Sequence, residues 1–123
     1  MKTDKKSTLV IGASTNPSRY SYLAINSLRQ HGHKVIAIGL RNGKVGDVGI
    51  TAGKPLDGSI DTVTLYIGPK IQSQYTEYVK ALNPRRVIFN PGTENKEFEN
   101  KLKEAGIEVI EACTLVMLST GQY

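Results

Sequence analysis

Apolar residues fall along this chain in short continuous runs, separated by segments in which they recur at helical spacing. Thr8 to Ala13 (TLVIGA) is an apolar run ending on small residues, the pattern of a strand buried on both faces. Ala24, Ile25 and Leu28 then share one side of a helix, and His31-Gly32-His33 supplies its stop. Lys34 to Gly39 (KVIAIG) predicts a second buried strand. Strand, helix and strand in so short a span make a βαβ unit, with parallel strands and a right-handed crossover.

From Leu40 to Ser59, glycine, proline and short polar residues crowd the sequence, so this segment reads as turns with a brief edge strand over Val48 to Ala52. Asp61 introduces a third buried strand, Thr62 to Ile67, stopped by Gly68-Pro69. Pro69 suits the first turn of a helix in which Ile71, Tyr75, Tyr78 and Leu82 form one stripe, ended by Asn83-Pro84. Arg86 to Asn90 is the next strand. Pro91-Gly92-Thr93 leads into a helix with Thr93 as N-cap, Glu94 at the positive end, and Phe98, Leu102 and Ala105 toward the core. Gly106 closes it before a last strand, Ile107 to Ile110. This alternation predicts one α/β domain over residues 1–123, a three-layer, doubly wound Rossmann-type fold with a parallel sheet of five to six strands. Residues 1–7 are expected to form a flexible end, and the apolar run Thr114 to Thr120 either caps the core or forms a dimer seam.

Composition narrows the class. A chain of 123 residues with 39% hydrophobic and 22% charged residues can bury one core without cross-links. No run approaches the roughly 20 apolar residues that span a bilayer, and the lysine-rich opening lacks the apolar stretch of a secretory signal, so a cytoplasmic location is expected. Cys113 stands alone, which suits a reducing compartment and excludes a multi-cysteine zinc site. It reads as a buried inert thiol, with a reactive one as the other possibility. His31 and His33 flank a helix end, where positive charge complements the helix dipole, and no metal site is expected. The net charge of +5 favours anionic partners. Its basic residues are scattered, Lys2, Lys5 and Lys6 at one end and Lys96, Lys101 and Lys103 among glutamates, so nucleic acid is not expected as a partner.

In a sheet of this kind ligands bind at the carboxyl edge, where strand order reverses. Three glycine-bearing loops converge there: Gly12 to Ser21, Gly68-Pro69 and Asn90-Pro91-Gly92. Missing side chains let backbone N–H groups approach a phosphate, and the following helix adds its positive end. Ser14 can donate a hydroxyl hydrogen bond, Asn16 can cap the turn, and Arg19 can neutralise phosphate charge. The alternative is that Gly12 only permits close strand-to-helix packing and Asn16-Pro17 is an ordinary turn. The dinucleotide fingerprint of three glycines and an acidic residue after the second strand is absent: Ser14 and Pro17 hold the glycine places, and the strand ends in Gly39-Leu40-Arg41. Arg41 and Lys44 favour a ligand with an extra ribose phosphate, NADP or coenzyme A, unless they belong to a plain polar turn.

The run Val10-Ile11-Gly12-Ala13-Ser14-Thr15-Asn16-Pro17-Ser18-Arg19-Tyr20 resembles the opening of the stand-alone CoA-binding domain family, related to the nucleotide-binding part of succinyl-CoA synthetase α-chains. Asp61-Thr62-Val63 resembles that family's central strand, and Glu104-Ala105-Gly106-Ile107 its last helix-to-strand step. The resemblance implies a coenzyme A whose pyrophosphate rests on the first turn, with Gly12, Ala13, Ser14, Asn16, Arg19 and Tyr20 contacting it. The full candidate set adds Pro17 and Ser21, Gly39, Leu40 and Arg41, Ile67 and Gly68, and Asn90, Pro91 and Gly92. Ser21 stands where the family commonly has glycine, Ala37-Ile38-Gly39-Leu40 where it has a Pro-Val-Asn-Pro-like run, and Phe89-Asn90 where it has Trp and Gln. No nucleophile with a base and no acid pair punctuates the loops, so a coenzyme A or acyl-CoA binding module without catalysis is expected. The rival is a small NADP-dependent oxidoreductase with Tyr20 or Tyr66 as proton donor. A homodimer and a partner enzyme subunit both stay open.

Overall fold

The computed structural model describes residues 5–123. Its strands are β1 Thr8–Ala13, β2 Val35–Gly39, β3 Gly43–Val45, β4 Val48–Thr51, β5 Thr62–Leu65, β6 Arg86–Phe89 and β7 Glu108–Glu111. They form one sheet in the order β3-β4-β2-β1-β5-β6-β7. Every neighbouring pair is parallel except β3 with β4. The helices are α1 Tyr20–Gln30, α2 Pro69–Gln72, α3 Thr76–Leu82, α4 Lys96–Glu104 and α5 Thr114–Ser119.

Alternation along the strands builds the three layers. Leu9, Ile11, Ile38, Val63, Leu65, Val87 and Phe89 pack against Tyr78, Val79 and Leu82 of α3 and Phe98 and Leu102 of α4. Val10 and Ala37 turn to the opposite face and pack with Ile25 and Leu28 of α1 and Leu118 of α5. The terminal apolar run therefore caps the domain's own core through Met117 and Leu118, leaving Val116 exposed.

Several local expectations are corrected. The strand at Val48 is not the edge: it pairs parallel with β2 and antiparallel with β3, which takes the edge. Val45, Val48 and Ile50 bury apolar side chains, and Gly46 turns the hairpin at φ +58, a conformation glycine adopts without strain. This hairpin brings the sheet to seven strands. The single helix read over Pro69 to Leu82 is broken by a 3₁₀ turn at Ser73–Tyr75. The break re-aims the stripe: Tyr78 and Leu82 stay in the core, whereas Ile71 is exposed. Asn95, not Thr93, caps α4, its side chain accepting from Phe98 N–H at 3.3 Å. Ala105 falls on the exposed C-cap.

His33 is not a surface cation. It is 2% exposed, its Nδ1 accepts from the Lys6 N–H at 2.9 Å, and burial, with the nearby Lys6 and Lys5 charges, lowers its pKa to about 4. Only His31 remains at the helix end, its Nδ1 2.7 Å from the Ser27 carbonyl. Of the end expected to be flexible, residues 1–4, with Lys2, lie outside the described residues. Lys5 Nζ donates to the His31 carbonyl at 2.9 Å, and the Ser7 carbonyl accepts from Asp61 N–H at 2.8 Å.

Candidate functional site

The chain leaves β1 toward β2 on one side and leaves β5 toward β6 on the other, so the loops above these neighbouring strands diverge. A cleft of about 980 Å³ opens between them at the carboxyl edge. That is at the upper end of the roughly 300–1,000 Å³ that small-molecule sites occupy.

One wall is the end of β1, the loop after it and the start of α1, comprising Gly12, Ala13, Ser14, Thr15, Asn16, Arg19, Tyr20 and Ser21. Asn16 Oδ1 accepts from the Ser18 N–H at 3.0 Å and the Ser18 hydroxyl at 2.8 Å, which closes the turn. Ser14 Oγ accepts from the Asn16 N–H at 3.0 Å, and its own hydrogen has no acceptor among the described residues. Helix α1 has no side-chain cap and no acidic residue in its first turn. Its first N–H groups and the positive end of its dipole therefore remain available to an anion.

Gly12 has a reason within the sheet. It adopts φ +99 where the β1–β2 register shifts, and a Cβ there would lie 2.7 Å from the Tyr66 carbonyl oxygen. Close packing therefore does require this glycine, although the neighbour is the backbone following β5 rather than a helix.

The second wall comes from the end of β2: Gly39, Leu40, Arg41 and Asn42. Leu40 is 93% exposed at the lip. Arg19 and Arg41 are the only charged residues lining the cleft, and neither forms an ion pair among the described residues. The third wall is Tyr66, Ile67 and Gly68 after β5 with Ile71 and Tyr75, and the fourth is Pro91, Gly92 and Thr93 after β6. These two walls carry no charged residue. A Cβ at Gly68 or Gly92 would meet nothing within 4 Å.

Two candidates fall outside this lining, Pro17 and Asn90. Asn90 is 3% exposed, and its side chain is spent on the fold. Its Nδ2 donates to Thr64 Oγ1 at 2.6 Å and the Leu65 carbonyl at 2.8 Å, and its Oδ1 accepts from the Thr114 N–H at 2.9 Å. It ties β5, β6 and α5 together instead of reaching the cleft.

Sequence reasoning missed Thr15, Asn42, Ile50, Ile71, Tyr75 and Thr93 as lining residues. Ile71 and Tyr75 carried a helical-core signal; Ile71 is exposed instead, whereas Tyr75 packs against the core and lines the cleft as well. Tyr66 was read only as a proton donor. Its hydroxyl is buried without a well-formed hydrogen bond among the described residues, and burial, opposed by the nearby Thr114 and Thr64 side chains, raises its pKa to about 12. Cys113 is a half-buried free thiol at the start of α5 and does not line the cleft. No group of three or more His, Cys, Asp or Glu residues among the described residues could hold a metal ion. No described helix is long and apolar enough to cross a membrane.

A family model of the CoA binding domain matches residues 6–119. The chain belongs to the CoA-binding domain family. This CoA-binding domain is 47% identical to a protein of known crystal structure described only as uncharacterized, over 98% of this chain and 100% of that one, with a TM-score of 0.95. It also resembles cell-free ID.343 from Thermus thermophilus, at 27% identity over 96% of this chain and 91% of that one, TM-score 0.84. A hypothetical protein from Pyrococcus horikoshii OT3, at 24% identity over 94% and 83%, shares the fold with a TM-score of 0.85. No curated protein matches the chain.

Proposed function

We propose that this CoA-binding domain holds coenzyme A or an acyl-CoA at the β1–β5 cleft and acts as a binding module without catalysis of its own. The carrying observation is the charge distribution: among the described residues, Arg19 and Arg41 are the only charged ones in a lining that has no carboxylate. A polyanionic ligand meets attraction there and no repulsion.

The residues suit the parts of coenzyme A. The Gly12-Ala13-Ser14 turn, the free Ser14 hydroxyl and the open first turn of α1 would hold the pyrophosphate, with Arg19 neutralising its charge. Arg41 would pair with the ribose 3′-phosphate. The uncharged wall of Ile67, Ile71, Tyr75 and Pro91 would receive the pantetheine arm. Coenzyme A supplies a thiol that carries acyl groups, and the domain's part is to bind and orient it.

The NADP-dependent alternative needs a proton donor beside the ligand. Tyr66 suits that role poorly, because burial pushes its pKa up to about 12 and its hydroxyl is closed off from solvent. Calorimetric titration of the purified protein with coenzyme A, NADP and NAD tests the reading. Coenzyme A is expected to bind most tightly. NAD binding of equal strength, or NADPH turnover that Tyr20→Phe abolishes, overturns it.

A further inference from the structure

The two uncharged walls of the cleft are fastened to each other by one buried side chain. Gln72, the last residue of α2, is 0% exposed. Its Nε2 donates to the Ile67 carbonyl at 3.0 Å and to the Thr93 carbonyl at 2.7 Å. Ile67 and Thr93 line the cleft from the loops after β5 and β6 respectively. Gln72 Oε1 in turn accepts from Asn95 Nδ2 at 3.1 Å, which sets which end of the amide faces the carbonyls. Asn95 is itself held as the N-cap of α4.

These loops share no backbone ladder where Gln72 joins them: β5 and β6 pair only as far as Leu65 and Phe89. Beyond that point the amide bridges the two carbonyls, so its length sets how far apart the walls stand. A primary amide suits the place because it offers two donors on one nitrogen and an acceptor on the other branch. All three are used.

We infer that Gln72 is a positioning residue for the uncharged half of the cleft, fixing the gap that receives the pantetheine arm. The inference rests on the coenzyme A reading of the site. It assigns to Gln72 affinity for the arm and no part in the grip on the phosphates, which lies across the cleft at Ser14, Arg19 and Arg41.

The test compares coenzyme A with 3′-phosphoadenosine 5′-diphosphate, which carries every phosphate but lacks the arm. In Gln72→Met, coenzyme A affinity is expected to fall about tenfold and affinity for the truncated ligand by less than about twofold. Because Gln72→Met strands the buried Thr93 carbonyl and the part-buried Ile67 carbonyl and can unfold the domain, Asn95→Ser supplies a milder variant. Serine keeps a helix cap while removing the donor that orients the amide, so a loss of about threefold confined to coenzyme A is expected. Equal losses for both ligands in the folded variants, or no loss of coenzyme A, overturn the role of Gln72. Wild-type protein that binds the two ligands equally tightly also overturns it, while leaving the phosphate site standing. If the wild type binds neither ligand, the function reading itself fails.

Discussion

A Cβ on Gly12 would stand 2.7 Å from the carbonyl oxygen of Tyr66, which belongs to the segment leaving the neighbouring strand. With φ at +99, no L side chain fits there without backbone movement. Gly12→Ala is therefore expected to destabilise the fold by about 2–4 kcal/mol, read as a lower urea midpoint. At Gly68 the φ is −68 and a Cβ meets nothing within 4 Å. Gly68→Ala should leave stability within about 0.5 kcal/mol of wild type, so any loss of coenzyme A affinity there reports on the cleft. A Gly12→Ala protein as stable as wild type contradicts the close approach.

The two cleft arginines are expected to separate by ligand. Arg19→Ala should weaken coenzyme A and its 3′-dephospho form alike, each by about tenfold, because the pyrophosphate is common to both. Arg41→Ala should weaken coenzyme A more than the dephospho form. Calorimetry with both ligands decides the matter, and equal losses remove Arg41 from the site.

His33 predicts a pH dependence of stability with a definite sign. Its folded pKa of about 4 lies below the ordinary histidine value of 6.5, so the unfolded chain binds the extra proton between these values. Stability is then fully present above 6.5 and declines as pH falls toward 4, with a slope of at most about 1.4 kcal/mol per pH unit for one proton. Burial raises the Glu99 pKa and works the other way in acid. Comparison with His33→Gln isolates the histidine: the variant should show a flatter dependence of urea midpoint between pH 4.5 and 6.5. Parallel curves contradict a neutral His33 holding the Lys6 N–H.

Asn90 should behave as a structural residue. Asn90→Ala leaves the Thr114 N–H and the Leu65 carbonyl without its side-chain partners, at an expected loss of about 2–4 kcal/mol. Folded Asn90→Ala protein, titrated well below its unfolding midpoint, should bind coenzyme A nearly as wild type does. A stable variant with abolished binding puts Asn90 back at the ligand.

The βαβ order and the buried strands were legible in the sequence because they depend on local periodicity and on punctuation by glycine and proline. The turn between β1 and α1 was legible for the same reason, since Gly12, Asn16 and Pro17 mark it within a few residues, although Gly12 and Ala13 belong to β1 and Tyr20 and Ser21 to α1. The rest depends on partners distant in sequence. Ile71 and Tyr75 fit a helical stripe, and only the 3₁₀ turn at Ser73–Tyr75 sends Ile71 out of the core and both residues to the cleft wall. Asn90 follows a strand in the manner of a site residue, yet Thr64 and Thr114 claim its side chain, contacts that no sequence window contains.

Composition and alternation by themselves determined an α/β domain whose loops gather at the carboxyl edge of the sheet, because the faces of strands and helices are dictated residue by residue. Tertiary structure alone decided that the hairpin Gly43–Thr51 extends the sheet, that His33 is neutral, and that Gln72 spans two loops. Each of these turns on burial and on hydrogen bonds between segments far apart in the chain, and that pairing exists only once the sheet has assembled around β1.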